Sequence, residues 1–223
     1  ITTDVDVLTL TSNSVSLTDG VTNLGTITLT GFAGDNAVLA GDTGDTRFDL
    51  SNWQNGTLAT ANVTGGTGND ALVGPNLAGG AAIWDVATAA SGTVNQFTYA
   101  GIENLEGGDA NDRFNIANAV VVTGTVDGGT GSDTLNLAAF ASARTVVLTN
   151  LGTGGNGFAG TEAAVAGGFD RINAIDAPTG AGDSITGRNA AANWTLGGNG
   201  SQYASVGPVQ TLAFTGFNTI NGG

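Results

Sequence analysis

The sequence predicts an all-β protein, a parallel β-solenoid (a β-helix or β-roll) in which residues 1–223 form a single elongated repeat domain. Two observations favour this class. Short segments alternate apolar and polar residues with a period of two, as half-buried strands do. Glycine fills 38 of the 223 positions and returns with aspartate in clusters typical of tight turns. A β-sandwich is the alternative, because frequent turns fit that fold as well.

A glycine-rich nonapeptide organises these turns. It reads Gly-Gly-x-Gly-x-Asp-x-U-x, where U is a large apolar residue, and it occurs strictly at residues 65–73 and 128–136. A near copy at 107–115 carries Ala110 in place of the third glycine. The glycines allow a tight turn at positive φ, and the aspartate is expected to face inward. Residue U then begins a strand that enters the core.

The spacing of the copies predicts stacking. Gly108 and Gly129 are 21 residues apart, and Gly66 lies 42 residues before Gly108. About 20 residues is a common length for one turn of a β-solenoid. One such turn cannot bury its apolar face alone, so we expect stacked turns to share a narrow core.

A longer repeat contains the short one. Residues 101–108 (GIENLEGG) align position by position with residues 216–223 (GFNTINGG), an offset of 115 residues. A strong strand is predicted at 144–149, and the only helix-like segment is at 161–166. The final Gly222-Gly223 also begins a nonapeptide that Ile1-Thr2-Thr3-Asp4 of another copy would continue. The chain is therefore expected to be a segment of a longer repeat polypeptide, or a unit whose end completes the next unit.

Composition excludes several functions. The net charge of −14 argues against binding to nucleic acid or to anionic membranes. The chain has no His and no Cys, and its five cationic residues are all Arg. These absences rule out a histidine-based triad, a Schiff base and a thiol nucleophile, so we predict that the protein is not an enzyme. No apolar run reaches the roughly 20 residues of a membrane-spanning helix.

The nonapeptide resembles the calcium-binding repeats of RTX proteins, and the chain resembles bacterial extracellular β-strand-repeat proteins of the RTX-like kind. The resemblance implies Ca²⁺ bound between stacked turns. The first candidate ligands are Asp70, Asp112 and Asp133, and the weaker ones are Asp45, Asp109 and Asp183. The other interpretation is that aspartate and glycine only build the turns.

These observations predict a structural repeat protein outside the cell or on its surface. It would associate with itself head to tail through its terminal strands into a filament, sheath or matrix that calcium stiffens. The alternatives are a stalk module of a large bacterial adhesin and a carbohydrate-acting β-helix. Extracellular polysaccharide is a second candidate partner. We expect aromatic residues such as Trp53, Trp84, Trp194, Tyr99 and Tyr203 to fill the core rather than to line a sugar site.

Overall fold

The computed structural model describes residues 17–19, 36–41, 43–51, 60–76, 80–180, 182–197 and 200–223. Apolar and polar residues also alternate at residues 5–10 and 26–30, which predicts strands there, but both segments lie outside the described residues. The first eleven strands are β1 Leu17–Asp19, β2 Asn36–Ala40, β3 Thr46–Asp49, β4 Thr60–Thr64, β5 Ala71–Val73, β6 Ile83–Thr88, β7 Ser91–Val94, β8 Phe97–Ala100, β9 Asn104–Gly108, β10 Arg113–Ile116 and β11 Val126–Gly129. The other ten are β12 Thr134–Asn136, β13 Thr145–Leu151, β14 Phe158–Glu162, β15 Val165–Ile172, β16 Ala174–Asp176, β17 Ser184–Thr186, β18 Ala192–Thr195, β19 Ser201–Ser205, β20 Thr211–Thr215 and β21 Thr219–Asn221.

The strands form two sheets, which confirms the all-β prediction. Sheet A contains ten strands in the order β1-β3-β5-β9-β11-β15-β14-β13-β17-β21. Sheet B contains eleven, in the order β18-β19-β20-β16-β12-β10-β6-β7-β8-β4-β2. Along the chain, β2 to β5 alternate between the sheets one strand at a time, and β9 to β12 do the same. Strands that become neighbours in this way are parallel, as in the pairs β10–β12 and β9–β11.

Three antiparallel insertions interrupt the alternation. They are β6-β7-β8 in sheet B, β13-β14-β15 in sheet A and β18-β19-β20 in sheet B. Without an insertion, paired residues of neighbouring parallel strands are 21 apart, as for Leu105 and Val126, or 24 apart, as for Arg47 and Ala71. With one between them the offset rises, to 33 for Ala71 and Asn104. The predicted spacing of about 20 residues therefore holds only for direct returns to the same sheet.

The insertions also explain the long repeat. Residues 97–108 form β8 and β9, and their echo 115 residues later forms β20 and β21. Each of these segments begins with the last strand of an insertion in sheet B and then crosses to sheet A. Between the two phrases each sheet advances by six strands, or about 29 Å at the usual strand separation.

The core lies between strands whose side chains alternate. On β10, Phe114 and Ile116 are buried while Arg113 and Asn115 are partly exposed. Phe114 stacks on Trp84 of β6 with ring centroids 5.4 Å apart. Residues of both sheets contribute to one continuous hydrophobic cluster. Burial of each large apolar side chain contributes about 1.5–3 kcal/mol, so packing stabilises strands too short to persist alone.

One secondary-structure prediction is wrong. The segment 161–166, expected as a short helix, is the end of β14, a turn and the start of β15. Val165 and Glu162 are paired across this antiparallel connection. The weak local preference for a helix is outweighed here by strand pairing, because pairing provides hydrogen bonds for the backbone N–H and C=O groups of both segments.

Candidate functional site

The first glycine of each nonapeptide allows close contact between neighbouring turns. A Cβ placed on Gly65 would lie 1.9 Å from the carbonyl oxygen of Gly101 and 2.6 Å from Oδ2 of Asp70. The first glycines of the other two copies meet the same obstacles: Gly107 the oxygen of Gly128 and Asp112, and Gly128 the oxygen of Arg171 and Asp133. These positions need glycine because a backbone oxygen and the motif's own carboxylate fill the space of a side chain.

The later glycines provide the predicted backbone conformation. Gly66 and Gly129, the second glycines of the strict copies, have φ of 105° and 86°. The third glycine, Gly131, has φ of 116°. Ala110 of the near copy does not take a positive φ. The positive-φ prediction is thus confirmed for the strict copies, and the third position tolerates another conformation.

The six candidate aspartates divide into two groups. Four are 0–1 % exposed, whereas Asp45 and Asp109 are exposed. The buried four are Asp70, Asp112, Asp133 and Asp183. Each of them directly precedes a strand, at the place where the motif predicts an inward-facing carboxylate. Asp183 belongs to an imperfect copy of the nonapeptide, residues 180–185 (GAGDSI). It is nevertheless buried directly before a strand, like the aspartates of the better copies.

Three of the buried carboxylates accept a hydrogen bond from a backbone N–H at or just before the start of the neighbouring parallel strand in the same sheet. Oδ1 of Asp70 accepts from the N–H of Thr46 at 2.7 Å. Asp133 accepts from the N–H of Asp112 at 2.8 Å, and Asp183 from that of Arg144 at 2.7 Å. A parallel ladder leaves these amides without a backbone acceptor at the turn, and the side chain supplies one.

Three residues without the motif continue these stacks. Oε2 of Glu103 accepts from the N–H of Asp70 at 2.9 Å. Oδ1 of Asn173 accepts from Asp133 at 2.9 Å, and Oδ1 of Asn218 from Asp183 at 3.3 Å. The position therefore requires an acceptor oxygen rather than a charge. Sequence reasoning missed these residues, although the alignment of residues 101–108 with 216–223 places Glu103 opposite Asn218.

The second carboxylate oxygen of each buried aspartate has no hydrogen-bond partner. At Asp112 neither oxygen has one of normal geometry. Burial raises the pKa of Asp112 to about 8, the negative charge of Asp133 adds to the rise, and the nearby Ala82 N–H offsets it only in part. Burial likewise raises the pKa of Asp133 to about 7, and it raises the pKa of Asp70. We therefore expect Asp112 to carry a proton at neutral pH.

The described residues do not fit a calcium cage. Among them, no group of three or more Asp, Glu, His or Cys side chains could hold a metal ion. Calcium needs six to eight oxygen ligands, whereas Asp70, Asp133 and Asp183 each already use one carboxylate oxygen to accept a backbone N–H. Exposed Asp109 binds Asn76 and Thr130 through its two oxygens at 2.9 and 3.1 Å. Calcium binding remains a prediction from the resemblance, without support from these contacts.

Most of the predicted core aromatic residues lie in the core. Trp84, Tyr99 and Tyr203 are at most 3 % exposed. Trp194 is partly exposed and packs against Tyr203 with ring centroids 4.6 Å apart. Trp53 lies outside the described residues. Where they are described, the aromatic rings therefore serve packing.

Comparisons with protein-family models, with curated proteins and with solved structures found no match to this chain. Among the described residues, no helix is long and apolar enough to cross a membrane.

Proposed function

We propose that this chain is a structural repeat protein of the cell exterior, a β-solenoid that stacks end to end into a filament, sheath or matrix. The strand path supports the solenoid, because the chain alternates between two sheets and returns beside its previous strand in parallel. The acceptor stacks at the turns support it further, since they join successive returns of the chain. The acidic composition without Cys fits an exported structural protein.

The observation that carries the proposal is a pair of open edges at one end of the two sheets. Sheet A ends with β21 and sheet B ends with β18. In the described part of the chain, no strand pairs with the outer edge of either. Strand β2 is the edge of sheet B at the opposite end. Unpaired backbone N–H and C=O groups on such edges are templates for another strand.

The chain itself contains a junction of the same kind. Strands β6 and β9 occupy the places in the first long repeat that β18 and β21 occupy in the second. Strand β6 is covered by β10, and β9 is covered by β11, both in parallel. A second copy that presented a similar strand pair would extend both ladders. The polymer contact is then a repetition of a contact already present within the subunit.

A matched pair of variants tests this junction. The N–H of Leu105 in β9 donates to Thr125 beside β11, at 2.9 Å. Its counterpart Ile220 therefore directs its N–H away from β17, toward an incoming strand. Ile220→Pro removes this donor, while Ile220→Ala removes a similar amount of packing and keeps it. Sedimentation velocity and negative-stain electron microscopy should show fibres for wild type and for Ile220→Ala, but not for Ile220→Pro.

Dispersed particles of the wild-type protein at high concentration would contradict self-assembly. They would favour the stalk module of a large adhesin, in which neighbouring units are joined covalently. The 115-residue repeat within one polypeptide is the observation that favours this second candidate. Fibres that form equally well with Ile220→Pro would place the polymer contact elsewhere.

A further inference from the structure

The tip of the β13–β14 hairpin lies against the second strict nonapeptide turn. Residues 152–157 connect the two strands, and the N–H of Gly152 donates to the carbonyl oxygen of Gly157 at 2.9 Å, which closes the tip. The Nδ2 of Asn156 donates to the carbonyl oxygens of Gly129 and Gly131, at 3.0 and 3.2 Å. Two carbonyl oxygens of the turn therefore converge on one side-chain amide.

This amide takes a place that the next turn fills one step earlier in the stack. There, the carbonyl oxygen of Gly108 accepts the N–H of Thr130 at 2.7 Å. Gly129 holds the same motif position as Gly108 and is paired with it in register. The next strand of sheet A, β15, is followed by no nonapeptide, because Asn173 alone connects it to β16. Asn156 thus supplies the donor that a further nonapeptide turn would have supplied.

Asn156 also joins this turn to the following one. Its Oδ1 accepts from Nδ2 of Asn173 at 3.0 Å, and Oδ1 of Asn173 accepts the N–H of Asp133 at 2.9 Å. Both amides are fixed in orientation, since one end of the pair faces carbonyl oxygens and the other faces an N–H. Asn173 stands at the aspartate position of the stack, in register with Asp133. Its second polar atom has a partner, whereas the second oxygen of each of the four buried aspartates has none.

We infer that the Asn156–Asn173 amide pair stands where the resemblance to RTX repeats implies a calcium ion between stacked turns, so that this junction is held without a metal. Backbone carbonyl and aspartate oxygens are ligands that Ca²⁺ takes. Two such carbonyls and an aspartate position surround the pair, and neutral amide groups occupy the space between them. Asn156 is partly exposed, so an ion from solution can reach its place. A carboxylate at position 156 should therefore turn the junction into a cation site.

Two substitutions of Asn156 in the full chain test this inference by urea unfolding, in chelator and in Ca²⁺ at matched ionic strength. Asn156→Ala removes the donated hydrogen bonds and should lower the equilibrium constant for folding roughly tenfold in both conditions. Asn156→Asp sets a carboxylate against two carbonyl oxygens and should cost at least as much in chelator. Ca²⁺ at about 10 mM should then raise the folding constant of Asn156→Asp roughly tenfold, as expected for a Kd of about 1 mM. Asn150→Asp, which adds the same charge at an exposed position of β13, is the matched control.

A gain from Ca²⁺ in Asn156→Asp that exceeds the gain in wild type and in Asn150→Asp would support the inference. If Asn156→Asp is unfolded in chelator, refolding on addition of Ca²⁺, followed by circular dichroism, is the same result. If it stays unfolded in both conditions, Asn173→Asp, which presents a carboxylate from the other turn, decides by the same criterion. A gain no larger than that of wild type, or unchanged stability of Asn156→Ala, would overturn the inference. A wild-type response to Ca²⁺ that Asn156→Ala abolishes would also overturn it, because the native amide would then be a ligand.

Discussion

Replacing Asp112 with asparagine should weaken an unusual pH dependence of stability. Asp112 is 1 % exposed, and its folded-state pKa of about 8 lies far above the ordinary value of 3.8. The folded state therefore holds this proton more tightly than the unfolded state. The stabilisation is complete below pH 3.8 and is lost as the pH rises through about 8.

The size of the effect follows from proton linkage. Between those two pKa values one proton separates the states, so stability falls by about 1.4 kcal/mol per pH unit. From pH 5 to pH 7 the loss from Asp112 alone is therefore about 3 kcal/mol, and Asp133 acts in the same direction. Asp112→Asn keeps the size of the side chain but leaves amide hydrogens to satisfy, at a pH-independent cost of about 1–3 kcal/mol.

Urea unfolding between pH 5 and pH 8 measures this difference, with the m-value checked for constancy. We expect wild type to be more stable at pH 5 than at pH 8. Asp112→Asn should show about half the wild-type slope between pH 5 and pH 7, because Asp133 still titrates, and it should be more stable than wild type at pH 8. Asp85→Asn, which removes an exposed carboxylate, is the control for net charge. Wild-type stability that is flat or rising over this range, or an equal slope in both proteins, would refute the reasoning.

The other predictions concern packing, a buried ion pair and calcium. Gly65→Ala should lower the free energy of unfolding by several kcal/mol in urea, because its Cβ would lie 1.9 Å from the oxygen of Gly101; a loss below about 1 kcal/mol would contradict the close contact. Glu162→Gln should cost about 3–5 kcal/mol, since it leaves the buried Arg144 guanidinium without its carboxylate; an effect below 1 kcal/mol in thermal or urea unfolding would contradict this. Asp112→Asn and Asp133→Asn should not change the effect of excess Ca²⁺ or of a chelator on the melting temperature, because the described carboxylates form no group that could hold a metal ion; a calcium-dependent rise that either variant abolishes would show that these residues are ligands.

The turns could be predicted from the sequence in unusual detail. The strict nonapeptides fix glycines at positive φ and an inward aspartate, and each of these requirements acts within a few residues of chain. Predicted strand 144–149 is matched by β13 for the same reason, since its pattern is local. The acceptor role of Asn173 could not be predicted in this way, because its partner Asp133 is 40 residues away and the intervening insertion hides the register.

The sequence by itself determined that this protein is made of short strands and Gly-Asp turns, and that a 115-residue unit contains the shorter repeat. Only the tertiary structure decided which strands become neighbours, because strands pair through backbone hydrogen bonds, and nearly all residue types share the groups that form them. The tertiary structure also decided the state of the aspartates. Carboxylates that look like calcium ligands in the sequence lie buried below a glycine. Asp70, Asp133 and Asp183 each accept a hydrogen bond from a backbone N–H of the neighbouring turn, whereas Asp112 is expected to hold a proton of its own.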